Sequence, residues 1–411
     1  MPRRILLLTF FYPPDLSAGS FRASALVEAL RLRAGEDVQI DVLTTQPNRY
    51  AEHCLEAVSG EESLGLYVRR IHLPQMRRGF FGQAVSFWRY VRKVLRLTAD
   101  SEYDLVVATS SRLMTAVLGA WVAYRKRAAL YLDLRDIFVE NLKVLFPAPL
   151  AIPLGWGFGA LERWAVGRAQ RVNLVSQGFL GYFQPRYPAR SFSVFSNGVD
   201  EAFETFAVSA EASSPRLGGE PLQVLYAGNL GDGQGMHLIL PELARRLRGR
   251  VYFRVVGAGG RLAALRDALQ AEALDNVELL APVARKQLLG LYREADVLFL
   301  HLNDFPAFKR VLPSKLFEYA ATGKPIWAGV AGYAAEFIQC EIGNAEVFLP
   351  CNVEAGVKAL ERLSMVESSR KDFIRTYSRR AIMQEMAEDV LACMSDRRRQ
   401  KRYINKKAHQ R

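Results

Sequence analysis

"FKRVLPSKLFEYAATGKP", residues 308–325, lies between two short apolar runs, "ADVLFLHL" (295–302) and "PIWAGV" (325–330). Runs of that length bounded by turn residues read as buried strands. Between them Pro313 is a good first-turn residue and Gly323 a turn that stops a helix, so the segment reads as strand, helix, strand. A helix joining two apolar strands is the connection that a parallel sheet requires. The same stretch carries chemistry. N–H groups around Ser314 and Lys315, at the start of the helix, lack intrahelical partners and attract phosphate, and Lys309, Arg310 and Lys315 add full positive charges there. Glu318, four residues after Ser314, sits one turn deeper on the same side, where a carboxylate can accept from paired sugar hydroxyls. The plainer alternative is a surface Lys315–Glu318 pair on a packed helix, worth little.

Moving outward, the alternation continues in both directions. "LQVLYAG", "VYFRVVG", "NVELLAP" and "AEVFLP" are further strand candidates of the second half, separated by amphipathic stretches such as "MHLILPELARRLRG". In the first half "RILLLTF", "VQIDVLT", "LYVRRI", "DLVVAT", "ALYLDL", "RVNLV" and "SFSVFS" repeat the pattern. Between the halves the chain turns to small residues with a Pro and a Gly pair, which suits a linker. The expectation is α/β: two tandem doubly wound, Rossmann-like domains facing a cleft. Its boundaries are 1–203, a linker 204–221, a second domain 222–375, a terminal helix 376–396 able to pack back on the first domain, and a basic tail 397–411.

The chain has 411 residues, half of them apolar, which excludes disorder and a small stapled scaffold. Four scattered cysteines without zinc-like spacing point to a reducing compartment. The opening "MPRRILLLTFFYPP" ends its apolar run in Tyr-Pro-Pro, so it reads as a first buried strand rather than a signal peptide. Net charge is +13, and residues 397–411 hold eight Lys/Arg and no acid, leaving +5 elsewhere. Such a run is either a solvated, disordered tail or a contact for an anionic surface. Residues 69–96 add eight basic residues and no acid. On a helix from about Phe80, residues Phe80, Ala84, Phe87, Trp88, Val91 and Val94 or Leu95 share one face and Arg89, Arg92, Lys93 and Arg96 another. That profile suits an interfacial helix, or a core helix with a basic outer face. "VLFPAPLAIPLGWGFGAL" (144–161) is uncharged but broken by three prolines and three glycines, and reads as a buried or interface-dipping loop rather than a spanning helix.

"YAGNLGDGQG" (226–235) follows a strand, and its glycines Gly228, Gly231, Gly233 and Gly235 let backbone N–H groups approach a phosphate, or simply make a tight turn. "VVGAGG" (255–260), with Gly257, repeats the arrangement after the next strand. In the first half "LDLRDIFVENL" (132–142) leaves the carboxyl end of a strand, placing Arg135, Asp136 and Glu140 at the cleft. Asp136 could hold or deprotonate an acceptor hydroxyl, or be a helix N-cap with Arg135 as its salt partner. Gly19 and Ser20, in "LSAGSFR", line the cleft from that side or make a β-to-α turn. No aspartate pair has D-x-D spacing and the five histidines form no ligand-spaced set, so no metal is expected.

Taken together, the glycine loop, "VGAG", "NVELLAPV", "LYREADVLFL" and "VLPSKLFEYAATGKPI" resemble the donor-binding domain of GT-B-fold glycosyltransferases, in particular the large retaining family 4. "ILLLTFFYPPDLSAGSFRASALVEAL", "LRDIFVENL" and "FSNGVD" resemble that family's first domain, so the similarity runs to about residue 395. The resemblance implies that Glu318 binds the ribose hydroxyls of a nucleotide-sugar donor and that the backbone around Pro282 and Val283 borders its base. The family's two diphosphate cations fall on Asn229 and Gln234, and the first glutamate of its E-x7-E motif falls on Arg310. These departures resemble a branch that includes bacterial aminosugar transferases of surface-polysaccharide assembly. Lys315, with Arg310 or Lys309, is expected to replace the missing phosphate grip, where charge develops on the leaving group. Asp136, Lys315 and Glu318 are thus the expected catalytic residues. Gly19, Gly228, Asn229, Gln234, Gly257, Pro282, Val283, Arg310 and Ser314 join Lys315 and Glu318 on the donor side, and Arg135, Asp136 and Glu140 lie on the acceptor side.

The expectation is a metal-independent, cofactor-free retaining transfer of an N-acetylated aminosugar from a UDP-linked donor, a substrate, to a lipid-linked or saccharide acceptor. It places the chain at the cytoplasmic membrane face, peripherally held through 69–96 and 397–411. The alternatives are a GT-B UDP-sugar epimerase and a basic nucleic-acid-binding protein, the latter without a recognisable nucleic-acid fingerprint.

Overall fold

A computed structural model describes residues 3–15, 17–47, 58–73, 80–110, 112–145, 148–204 and 220–409. Most of the expected linker, 205–219, lies outside the described residues. The chain divides into two compact units, Met1–Asn197 with Arg380–Arg411, and Gly198–Arg379.

The strands of the first unit are β1 (Arg3–Leu8), β2 (Val38–Thr45), β3 (Gly60–Ser63), β4 (Leu66–Ile71), β5 (Leu105–Ser110), β6 (Ala129–Leu134), β7 (Arg171–Leu174) and β8 (Phe192–Val194). They form one sheet in the order β3-β4-β2-β1-β5-β6-β7-β8, parallel except for the β3–β4 hairpin. Its helices are α1 (Ala18–Ala34), α2 (Phe80–Leu97), α3 (Leu113–Arg125), α4 (Phe138–Leu145), α5 (Ala148–Arg168) and α6 (Leu180–Arg186). The second unit begins with the short α7 (Glu201–Glu204) and contains β9 (Leu222–Ala227), α8 (Met236–Arg246), β10 (Val251–Val256), α9 (Leu262–Ala271), β11 (Val277–Leu280), α10 (Arg285–Glu294) and β12 (Val297–His301). It continues with α11 (Ser314–Thr322), β13 (Ile326–Gly329), α12 (Tyr333–Glu341), β14 (Ala345–Phe348), α13 (Val353–Arg362) and α14 (Lys371–Thr376). Its sheet runs β11-β10-β9-β12-β13-β14. The last helix, α15 (Arg379–His409), leads back into the first unit.

Every residue of β5, β6, β12 and β13 is buried, the signature of a parallel sheet covered on both faces. In the first unit, connections moving one way along the sheet, such as β1 to β2, and the other way, such as β5 to β6, lie on opposite faces because crossovers are right-handed. Accordingly α1 and α15 share one apolar cluster with the sheet, built on Leu26, Leu30, Met383, Met386 and Val390.

Three local expectations differ from the structure. Residues 148–161 belong to helix α5, not to a loop; Pro153 falls in its second turn, where it removes a single ladder bond. The terminal helix expected over 376–396 starts later, at Arg379 as α15, because α14 ends at Thr376 and Ser378 pairs with Val199. The basic run 397–411, one reading of which was a disordered tail, continues α15 to His409.

The first unit is pinned by one fully buried ion pair. Arg22 on α1 donates from Nε and Nη2 to Asp133 on β6, both at 2.9 Å, and from Nη1 and Nη2 to the carbonyls of Ser196 and Phe195. Thr109 and Asn173 donate to the same carboxylate. Burial pushes the Asp133 pKa up, but the guanidinium and these donors hold it below the usual carboxylate range.

Candidate active site

In an open parallel sheet, ligands sit beyond the carboxyl ends of the strands where strand order reverses. In the second unit that point lies between β9 and β12. The loops leaving these strands are the glycine stretch 228–235 and residues 302–313, the segment that leads into α11.

The glycine loop is built by close packing. Gly228 donates to Val256 O at 2.9 Å and Leu230 to Ala258 O at 3.0 Å. A Cβ on Gly257 would strike Gly228 O, so Gly257 is needed to seat this loop. Gly233 faces the ring of Phe308, and Gly235, at φ 59°, opens α8 in the left-handed conformation. Asn229 and Gln234, which stand where the resemblance expects two cations, face each other with their amides 2.7 Å apart. A neutral amide pair therefore occupies the cation positions.

Two residues at the end of β12 clamp this loop, and neither was singled out from the sequence. Asn303 donates from its backbone N to Gly233 O and from Nδ2 to Asp232 O, both at 2.8 Å. His301, 1% exposed, meets Gln234 O through Nδ1 at 2.6 Å and accepts from Cys351 N through Nε2 at 3.0 Å. Those two partners require the neutral Nδ1–H tautomer. Burial pushes the His301 pKa down to about 4, only partly opposed by the bond to Gln234. A lone histidine in an apolar run gives no sequence signal for this role.

At α11, Pro313 is the N-cap and supplies no side-chain cap, so Ser314 and Lys315 begin the helix with N–H groups that no intrahelical carbonyl accepts. Lys309 is exposed, and Arg310 is half-buried and already engaged within the chain. Glu318 is only 7% exposed. Its Oε2 accepts from Lys315 Nζ at 2.9 Å and from Tyr292 OH at 3.2 Å, and Arg285 lies 4.0 Å from Oε1. Arg285 and Arg379 also pair with Asp200, at 2.9 and 2.6 Å. Burial alone would raise the Glu318 pKa; Lys315 and Arg285, with Arg379 further off, bring it below the ordinary value. The plain reading of a surface Lys315–Glu318 pair is thus corrected: the pair exists, but its anion is buried. Lys315 is turned to Glu318, not held open for a phosphate. Pro282 and Val283 are half-buried immediately before α10, where Arg285 begins.

In the first unit the reversal lies between β1 and β5. The structure brings Gly19 and Arg135 together: a Cβ on Gly19 would meet the guanidinium, so this glycine makes room for Arg135. Ser17 caps α1 by accepting from Ser20 N at 3.2 Å. Asp136 is half-buried and accepts no hydrogen bond from the described residues, so it is not the helix cap that one reading expected. Burial pushes its pKa up to about 6, with Arg135 opposing. It lines a crevice of about 10 Å3, room for about one water, together with Ser110, Arg112 and Glu162. Glu162, missed from the sequence because it sits inside an apolar helix, is buried and accepts from Tyr187 OH at 2.8 Å and Tyr182 OH at 3.2 Å. Glu140 is half-buried in the first turn of α4.

Comparison with known proteins gives matches across both units. Residues 19–198 match the glycosyl transferase 4-like domain and residues 209–380 the glycosyl transferases group 1 family. A protein of Escherichia coli (strain K12), "Putative colanic acid biosynthesis glycosyl transferase WcaI", is 30% identical over 234 residues, 55% of this chain. That match spans 57% of the length of the E. coli protein. Among solved structures, Anabaena Alr3699/HepE in complex with UDP-glucose superposes with a TM-score of 0.62 at 15% identity, covering 95% of this chain and 99% of the other. WaaG, a glycosyltransferase involved in lipopolysaccharide biosynthesis, superposes with a TM-score of 0.63 at 14% identity, covering 94% and 99%. At such identities the likeness shows the fold, which is GT-B.

Proposed function

Both units are glycosyltransferase-family domains of the GT-B fold, and from that premise we propose that the chain is a retaining glycosyltransferase using a nucleoside diphosphate sugar. The observation that carries this reading is the cluster at the start of α11. A buried carboxylate, Glu318, is kept ionised by Lys315 and Arg285 one turn below N–H groups suited to a phosphate. Glu318 Oε1, which lies 4.0 Å from Arg285 while Lys315 and Tyr292 bond to Oε2, is the acceptor available to a ribose hydroxyl. In this reading Lys315 sets the charge of Glu318 in the free protein and turns to the leaving diphosphate when the donor binds. Ser314 and Lys315 N–H groups and the exposed Lys309 supply the rest of the grip, and Asn229 and Gln234 shape the loop without charge. Asp136 positions the acceptor hydroxyl, because in a same-face mechanism the departing phosphate oxygen assists its proton.

The donor is proposed to be UDP-linked with an N-acetylated aminosugar, and the acceptor lipid-linked or a growing saccharide of a surface polysaccharide. The name of the E. coli protein above supports the polysaccharide part of this reading and the UDP-glucose complex of the structural relative the UDP part, while the aminosugar and the lipid-linked acceptor rest on the resemblance of the sequence. No helix among the described residues is long and apolar enough to cross a membrane, and peripheral contact with an anionic membrane at the cytoplasmic face is proposed. The test is UDP release measured with and without a lipid-linked or saccharide acceptor. Acceptor-dependent release that persists in EDTA and is lost in Glu318→Ala supports the reading. Release without any acceptor, or an altered free sugar, points instead to an epimerase.

A further inference from the structure

We propose that the side of the first unit formed by α2, α3 and α5 docks on an anionic lipid bilayer. This rests on the membrane contact proposed above and assigns it to one face. The sequence assigned that contact to two segments; the fold puts α2, which belongs to the first, on the side of the sheet opposite to residues 382–394 of α15, the helix that leads into the second. The connections through α2, α3 and α5 run in one direction along the sheet, so right-handed crossovers place these helices together. Residues 382–394 of α15 pack on the other side with α1, in a cluster to which no described residue of α2, α3 or α5 contributes.

The apolar stripe first expected of α2 is not what faces outward. Tyr90 donates to the carbonyls of Leu43 and Thr9 at 2.8 and 3.1 Å, and Phe87, Tyr90 and Val94 are buried, so the helix is anchored to the core. Trp88 is turned out among the cations at 55% exposure, with Arg92 stacked 4.6 Å from its ring. On α3 and α5, Trp121, Tyr124, Ile152 and Trp156 are exposed, Trp156 at 81%. Trp121 meets Trp164 across the two helices, and Arg168 lies over Tyr124 at 4.3 Å. Among the described residues, all large exposed aromatics belong to these three helices.

The charge is equally one-sided. The three helices carry seven Lys/Arg, and their one acid, Glu162, is 3% exposed. None of the seven forms an ion pair with a carboxylate of the described residues. Arg89 with Lys93 and Arg92 with Arg96 are like charges one turn apart, an arrangement that destabilises a helix unless anions neutralise it. A groove of about 890 Å3 is lined by Arg69, Trp88, Arg89, Arg92, Lys93 and Arg96, a cationic lining that suits phosphate head groups. Tryptophan and tyrosine beside arginine suit the head-group layer, where the ring is half-solvated and the cation meets phosphate.

The experiment is flotation of the full chain with vesicles of phosphatidylcholine alone or mixed with phosphatidylglycerol. Three forms accompany it: Trp121→Ser with Trp156→Ser, Arg92→Glu with Arg96→Glu, and a chain ending at Asp396. Binding only to the mixed vesicles is expected, weakened about tenfold or more in each double variant and kept by the shortened chain, with melting temperatures unchanged. Quenching of wild-type tryptophan emission by brominated lipid is expected independently of any variant. If the double variants bind like wild type while the shortened chain does not, this face is wrong and the membrane contact stands. Absence of vesicle binding by the wild type overturns both. Full competition by inorganic phosphate or an oligonucleotide, with the tryptophan variants unaffected, reduces the face to an anion site and overturns the proposal.

Discussion

Lys315 and Glu318 show how burial changes the meaning of an ion pair. On a surface such a pair contributes ~0–1 kcal/mol; here the carboxylate is desolvated and its ionisation depends on its cations. Because its pKa is depressed in the fold, its stabilising contribution is complete above the ordinary carboxylate range and is lost as pH falls through the lowered value. In Lys315→Ala, burial is opposed by Arg285, Arg379 and the Tyr292 hydroxyl without the nearest cation, so the pKa rises. Donor affinity measured by calorimetry should then weaken as pH falls from 8 to 5 in the variant and stay flat in wild type. A pH-independent variant with normal affinity would remove Lys315 from the site. Asp136 behaves in the opposite sense. Its pKa is raised to about 6, so turnover that needs the carboxylate should climb through pH 6, and Asp136→Asn should lose that acid limb. Burial favours the protonated form, which helps the fold at low pH and is lost as pH rises through 6. Asp136→Asn should therefore melt higher than wild type at pH 7.5 but not at pH 4. Glu318 was legible in the sequence by its place after the helix start, whereas Tyr292 and Arg285 belong to another element and were not.

At the scale of elements, the strands were readable because parallel strands buried on both faces are uninterrupted apolar runs. β3, with the sequence "GEES" and every residue exposed, has no such run and was missed. α5 was mistaken for a loop because its prolines and glycines lower helix propensity, while packing against α3 and α4 holds it helical. The face of α2 was displaced because Tyr90, a polar-ended residue, turned inward to two backbone carbonyls. The clamp at the end of β12 joins three loops distant in sequence, so no spacing could reveal it. His301→Gln should weaken UDP binding about tenfold, consistent with the ~1–3 kcal/mol cost of a buried hydrogen bond left unmade, while Tyr226 and its neighbours keep their near-ultraviolet circular dichroism. Unchanged affinity with a lower melting temperature would make His301 structural only. Its depressed pKa means that the neutral form stabilises the fold fully above 6.5 and fails only as pH falls towards 4, so the clamp should hold across the physiological range.

For the whole molecule, the division into units makes a directional prediction. UDP at a hundred times its Kd stabilises the state that binds it by ~2.7 kcal/mol. Hydrogen exchange should slow in the loop 228–235 and at the starts of α10 and α11 while β5 and β6 keep their free-state rates. Protection confined to the first unit would overturn the assignment of the donor site. Two α/β domains, the helix that carries Glu318 and the absence of cations at Asn229 and Gln234 were all determined by the sequence alone, since periodicity, turn residues and charge are local properties. Only the tertiary structure decided that Lys315 is spent on a buried Glu318, that His301 holds the glycine loop, and that α2 and α15 lie on opposite faces of one sheet. Those outcomes depend on which elements become neighbours, and neighbours far apart in the chain share no local pattern.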